Sequence, residues 1–198
     1  MPLTKVQIIS SAVNLLNKGP ITSIAGAGNF TTSAEDTFDY LLPSEISKHD
    51  WRFATAIAQL SRLVQTPIID NYEYIYALPA DYLTLVRLYP QTYDFQIYQN
   101  STLYANATEL KIEYRFVPDV TRLPSYFVEY FIDLLASRLA LTGAASETLA
   151  ADLIKMASEK KIEAMAVDAK AHPNIAIVDS PLIDIRNGSQ FPAQSRVN

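Results

Sequence analysis

The residues with chemistry to offer are few and scattered. His49 and His172 are the two histidines, and they stand too far apart in sequence to suggest a metal site or an acid–base pair working near neutral pH. No His-Glu-x-x-His run occurs. Gly26-Ala27-Gly28-Asn29 places two glycines between a turn and a helix, far short of a phosphate-cradling loop. No Gly-x-Ser-x-Gly turn sets up a nucleophile. Glu109 and Glu113 would share a face only on a helix; their segment reads as a strand, where a solvated sheet face explains them. The chain has no cysteine, which excludes disulfides, thiolate nucleophiles and cysteine-bound zinc. The sequence therefore nominates no catalytic residue, no metal ligand and no cofactor-binding residue.

Residues that hold or present surface are more evident. Trp51 is the single tryptophan and is expected to be a structural anchor between elements. Twelve tyrosines are many for this length, and a tyrosine carries large contact area with a polar tip. Those at 72, 74 and 76 alternate. They suit a half-exposed β-surface, or else a platform for stacking a sugar or base.

The elements that position these residues follow from periodicity. Thr4 and Gln7 form a capping box ahead of an apolar face of Ile9, Ala12, Val13 and Leu16, so a helix is expected over about 4–18, stopped by Gly19 and Pro20. Residues 21–32 read as a loop. A second helix is expected over about 33–49, with Phe38, Leu41, Leu42 and Ile46 as its stripe and Pro43 marking a kink or restart. Residues 53–64 fit either a helix or a strand. Short strands follow over 72–78, 83–89, 95–98, 102–104 and 110–116, joined by connections too short for crossovers, so antiparallel. The β-region thus spans about 53–117, with four or five strands. Pro124 opens a third helix, 124–142, closed by Gly143. A fourth is expected over 146–171, burying Leu149, Leu153, Met156 and Ala157. Its charges form its wet face, Asp152 pairing with Lys155. The fold class is α+β: a bundle of four main helices with a small inserted antiparallel β-region.

Residues 172–198 differ in kind. Prolines 173, 181 and 192 break them up, and Ile175, Ile177, Leu182, Ile183, Ile185 and Phe191 cannot bury a core of their own. Ordering such a segment costs roughly 1–2 kcal/mol per residue in backbone entropy, which contacts with neighbouring chains would offset. An extended arm of this length reaches on the order of 90 Å, so it is expected to dock on other subunits, with packing onto its own domain as the alternative.

Net charge is −5, without the basic footprint that gripping a duplex requires. The opening residues run straight into a helical pattern, and no apolar run approaches the ~18 residues of a membrane span. A protein made in a cytoplasm, with no membrane partner, is expected.

The order of elements resembles a known family. Leu41-Leu42 is followed by His49-Asp50-Trp51-Arg52-Phe53-Ala54. Tyr72, Tyr74 and Tyr76 lead to Leu78-Pro79-Ala80-Asp81-Tyr82-Leu83. Leu110, Ile112, Tyr114, Val117 and Asp119 lead to Leu123-Pro124, Phe127 and the pairs Leu135-Ala136 and Leu139-Ala140. Asn14-Leu15-Leu16 before Pro20-Ile21 fits as well. Across about residues 4–170 the chain resembles the tail tubular protein A, or head-to-tail adaptor, family of podovirus-type bacteriophages. Asp50 stands where members often have proline, and Thr84 where arginine is common. The resemblance implies an extended segment after the tryptophan, so 53–64 is expected as a strand. It implies a virion neck protein, one of about a dozen copies in a symmetric ring between the portal ring and the tail nozzle. Double-stranded DNA would pass through the channel without specific binding, and the C-terminal arm would grip the portal. Two rival functions stay open on the residues alone: a small cytoplasmic hydrolase using Asp/Glu pairs, and a tail-associated carbohydrate-binding module.

Overall fold

The computed structural model describes residues 3–19, 21, 29–144 and 146–171. The expected arm, with Ile175, Ile177, Leu182, Ile183, Ile185 and Phe191, lies outside the described residues, as do positions 22–28 of the expected loop. The chain is α+β, four helices with small antiparallel sheets.

Helix α1 spans Lys5–Leu15. The Thr4 hydroxyl accepts from the Gln7 amide at 3.3 Å and the Gln7 side chain accepts from the Thr4 amide at 2.8 Å, satisfying two donors that the first turn would orphan. Ile8, Ile9, Ala12 and Val13 form its buried face. Asn17 as well as Gly19 takes positive φ (57° and 76°), so the left-handed exit begins at an asparagine before the glycine.

Helix α2 spans Asn29–Lys48. It starts four residues before the expected Ser33, so 29–32 are helical rather than loop. Pro43 lies inside it, and the helix neither stops nor restarts there. The Ser47 hydroxyl donates to the Pro43 carbonyl at 2.8 Å, a local bond available to a serine four residues on. Ala34, Phe38, Leu41, Leu42 and Ile46 are buried at helical spacing.

After Trp51 a single 3₁₀ turn, Arg52–Ala54, leads into β1, Thr55–Gln59, and β2, Ser61–Arg62. The extended reading of 53–64 therefore holds from Thr55 to Arg62, with 53–54 in the 3₁₀ turn and 63–64 beyond the strands. Strands β3 (Tyr74–Ala77), β4 (Thr84–Tyr89), β5 (Phe95–Tyr98), β6 (Thr102–Ala105) and β7 (Lys111–Arg115) complete the module. Seven short strands, rather than four or five, form two sheets in the orders β1-β7-β4 and β2-β3-β6-β5. Leu60, between β1 and β2, donates its amide to Leu110 at 2.9 Å, so one extended segment passes from the first sheet into the second. A separate core fills the module, with Leu60, Tyr76, Leu88, Leu103, Leu110 and Ile112 among its members.

Helix α3 spans Ser125–Leu139, with Pro124 as N-cap, and runs on through a π-helical turn at Ala140–Ala144. It packs on each of the other three helices. Its buried set, from Phe127 to Leu139, circles most of the helix, as a central helix requires. Helix α4 spans Glu147–Ala169, capped by the Ser146 hydroxyl. Leu153 and Ala157 are buried as expected, whereas Leu149 is half-buried and Met156 is exposed. The face turned inward is Ala150, Leu153, Ala157, Ala164 and Asp168, one rotated away from Met156. Asp152 and Lys155 are both exposed and form no ion pair with each other.

Trp51 stands where the helices hand over to the sheets. It has no exposure, and its rings meet His49 at 4.7 Å, Phe127 at 5.1 Å, Phe53 at 5.8 Å and Tyr130 at 6.4 Å between centroids. Its indole N–H donates to the Glu45 carbonyl at 3.2 Å. Trp51→Ala is expected to lower stability by about 3–5 kcal/mol, read as a lowered urea midpoint by far-UV circular dichroism. Trp51→Phe should cost less, about 1–3 kcal/mol, since it keeps aromatic contacts and orphans only the Glu45 carbonyl. Equal midpoints for both variants and the parent would remove Trp51 from this role.

Candidate functional site

The densest collection of charged and polar side chains lies inside the helical bundle, along the α3–α4 seam. Tyr126 and Tyr130 are four residues apart on α3 and share a face. Lys161 and Asp168 are seven apart on α4 and return to within about 20° of each other. The two helices are antiparallel, so Tyr126 meets Asp168 while Tyr130 lies one level further along, beside Lys161. Glu45, near the end of α2, completes this second level.

Glu45 is 2% exposed. Its carboxylate accepts from Lys48 at 2.6 Å, Lys161 at 2.9 Å and the Tyr130 hydroxyl. Burial alone would raise its pKa, but the donated hydrogen bonds from Lys48, Tyr130 and Lys161 outweigh that and hold it at about 2. Burial and the hydrogen bond to Glu45 push the Tyr130 phenol well above its ordinary range. Lys161 also lies over the Tyr130 ring, 5.5 Å from its centroid.

The first level is built on Asp168, likewise 2% exposed. One oxygen accepts from the Arg52 amide at 2.9 Å and the other from the Tyr126 hydroxyl at 2.8 Å. Burial and this carboxylate raise the Tyr126 phenol too. Asp133 of α3 is 3% exposed. Lys160 stands 2.7 Å from its Oδ2 but outside hydrogen-bonding geometry, so the contact is purely ionic. On the sheet side, the Arg115 guanidinium donates to the Ser47 carbonyl and to the Asp50 carboxylate, tying β7 to the end of α2.

An acid or base working near neutral pH needs a pKa near the working pH. Glu45 and Tyr130 are driven in opposite directions away from it: Glu45 stays ionised and Tyr130 keeps its proton. The arrangement positions helices; it is not poised to move protons. Among the described residues no group of three or more His, Asp or Glu side chains is placed to hold a metal ion, and no helix is long and apolar enough to cross a membrane.

The residues singled out in the sequence fare differently. Trp51 adjoins this site through Glu45 and Tyr130. The arm residues lie outside the described positions. Glu113 sits on β7, where the Tyr89 hydroxyl donates to it at 3.1 Å, while Glu109 lies in the turn before β7. The tyrosine row does not present one open surface. Tyr76 is 1% exposed and donates to the Ala107 carbonyl, and Tyr74 is covered by the Arg62 guanidinium, 4.0 Å from its centroid.

Periodicity missed Glu45, Tyr130, Lys161 and Asp168 as a set. The α4 charges were expected to face water, yet Lys160, Lys161 and Asp168 turn inward. Their phase was available: Lys161 falls four residues after buried Ala157, and Asp168 four after buried Ala164. Neither the family models nor the curated proteins compared with this chain match it.

The Glu45 carboxyl sits below its ordinary value of 4.5, at about 2, so its ionised form is favoured by the fold. Its contribution is complete above pH 4.5 and is lost as pH falls through about 2. The expected size is on the order of 2–3 kcal/mol. Urea midpoints taken from pH 6 down to pH 2 should fall steeply for the parent and more shallowly for Glu45→Gln. Parallel curves for the two proteins would mean that Glu45 does not carry this acid sensitivity.

Proposed function

We propose that this chain is a structural virion protein, a head-to-tail adaptor of a short-tailed bacteriophage, and not an enzyme. In this reading about a dozen copies form a ring between the portal ring and the tail nozzle. The ring continues the channel through which double-stranded DNA leaves. Assembly takes place in the host cytoplasm, and the segment from 172 to 198 is the arm that docks on the portal or on neighbouring subunits.

The observation that carries the reading is the order of elements about Trp51. Two helices lead to a buried tryptophan, an antiparallel module follows, and two further helices complete the helical bundle. This is the order and spacing on which the resemblance rests. The interior supports it, because Glu45 and Asp168 are engaged in joining helices to one another and to the sheets. Ile57, Val64 and Ile68 stand 68%, 103% and 89% exposed on the β-module, apolar surface suited to contact between subunits. A hydrolase built on paired carboxylates would need one with a raised pKa, and Glu45 is held down. A carbohydrate platform would need open tyrosines, and Tyr76 is buried.

The test is assembly. The intact chain is mixed with the portal ring of its phage, and the mass of the complex is measured. The expected result is about a dozen copies per portal. A full-length variant carrying Ile183→Asp and Ile185→Asp should lose at least ~tenfold in affinity, since arms bound side by side share their avidity. No complex with the intact chain would overturn the adaptor reading. An unchanged mass and affinity in the variant would overturn the role of the arm.

A further inference from the structure

A cleft opens at the surface beside the Glu45 network, between the end of α2, the second half of α3 and the middle of α4, with a volume of about 290 Å³. Leu134, Ile154 and Ala157 line it with apolar surface, and Lys48, Arg138 and Lys161 bring three positive charges against the single negative charge of Glu45. Lys48 and Lys161 are both drawn onto Glu45. Arg138 is exposed and forms no ion pair among the described residues. Ile154 at the rim is 47% exposed. The site therefore offers an apolar floor with an excess of positive charge, which fits an extended segment carrying a carboxylate between apolar residues.

The chain contains such a segment. Ile177-Val178-Asp179-Ser180-Pro181-Leu182-Ile183 places one acid within a run of apolar residues. It is also within reach. Going back along α4 from Ala171 to Ser158 covers about 20 Å, and to Ile154 about 26 Å, at the helical rise. An extended chain from Ala171 to Asp179 spans up to about 26–29 Å. Asp179 is thus among the first acids beyond α4 that can lie level with the cleft.

We propose that in the unassembled chain this cleft is the docking site of the chain's own Ile177–Ile183 segment, with the Asp179 carboxylate against Arg138 and the flanking apolar side chains over Leu134 and Ile154. Covering the cleft takes Ile154 out of water and gives Arg138 its acid. A tether of this length keeps the segment at high effective concentration, so even a weak contact is populated. The proposal concerns the free chain and does not rest on the adaptor reading. If both hold, the arm leaves its own cleft when it engages a partner.

The absence of cysteine makes a direct test possible in the full-length chain. Ser158 lines the cleft and is exposed, so Ser158→Cys can be combined with Ser180→Cys, and, as a control further along the tail, with Ser195→Cys. Both double variants are oxidised at high dilution and followed by mass and non-reducing electrophoresis. The expected result is an intramolecular disulfide that closes at least ~tenfold faster for the 158/180 pair than for the 158/195 pair. Adding Arg138→Glu should cut that preference to the roughly twofold that the shorter tether alone gives. A ratio no larger than that between the two pairs would overturn the proposal, as would a preference untouched by Arg138→Glu. Disulfide-linked dimers in place of the intramolecular product would also overturn it and make a second copy the occupant.

Discussion

A carboxylate buried where three helices meet obliges its surroundings to supply charge and hydrogen bonds, and Glu45 is that carboxylate. Left alone in such a place it would cost several kcal/mol. Lys48 comes from its own helix, Tyr130 from α3 and Lys161 from α4. The contact with α4 matters most for uniqueness. The inward face of α4 is rich in alanine, with Ala150, Ala157 and Ala164, and such a face could slide along α3 with modest change in buried area. A slip of one turn moves Lys161 by about 5.4 Å, which leaves the buried Glu45 carboxylate with one cation fewer. The apolar surface makes the helices pack; the buried pair selects the register in which they do so.

The same logic operates at the seam between the two cores. The helical core and the β-module core are separate clusters, joined by a short stretch around Trp51. Trp51 fills the gap with aromatic contacts, and its N–H holds the backbone of α2. Asp168 accepts the Arg52 amide, a donor that the 3₁₀ turn leaves over. Arg115 reaches back from β7 to the Ser47 carbonyl and Asp50. Each of these groups supplies a partner to backbone or charge left unpaired where one kind of secondary structure gives way to another. Moving the sheets relative to the helices would break all three at once.

What the sequence made legible follows from how local each signal is. The capping box at Thr4, the proline ahead of α3 and the short strands from Tyr74 to Arg115 are set within a few residues, and they could be read. The start of α2 could not: residues 29–32 carry threonines and an asparagine, and helical order there goes with Phe30 and Thr31 packing onto the helical core rather than with propensity. Pro43 read as a kink or a restart because it removes an amide; the helix runs through it without restarting, its apolar stripe buried on both sides of the proline. The division of the strands into two sheets depends on which segments pair across 30 or more residues, as Tyr74 does with Ala105, and no local pattern states it. The candidate site was hidden for a related reason. Lys161 and Asp168 resemble ordinary surface charges until α3 and α2 are placed beside them.

The distribution of charge between interior and surface bears on what such a body is suited to do. A general base needs a carboxylate whose proton affinity is near that of its surroundings, and hence an environment left partly unsatisfied. Here the interior carboxylate with the strongest donors has been given three of them, and its phenol partner is locked in the protonated state. That arrangement forgoes proton transfer and fixes how α2, α3 and α4 pack, while Trp51, Asp168 and Arg115 tie the sheets to them. Such a frame can present apolar groups such as Ile57 and Ile154 at constant positions, so a partner loses less freedom on docking than it would against a yielding surface. On the proposed adaptor reading this is the property a ring requires. Small contacts repeated around a closed ring add up only when every subunit offers them in the same geometry, which in this chain the Glu45 network holds within the helices and the contacts around Trp51 hold between helices and sheets.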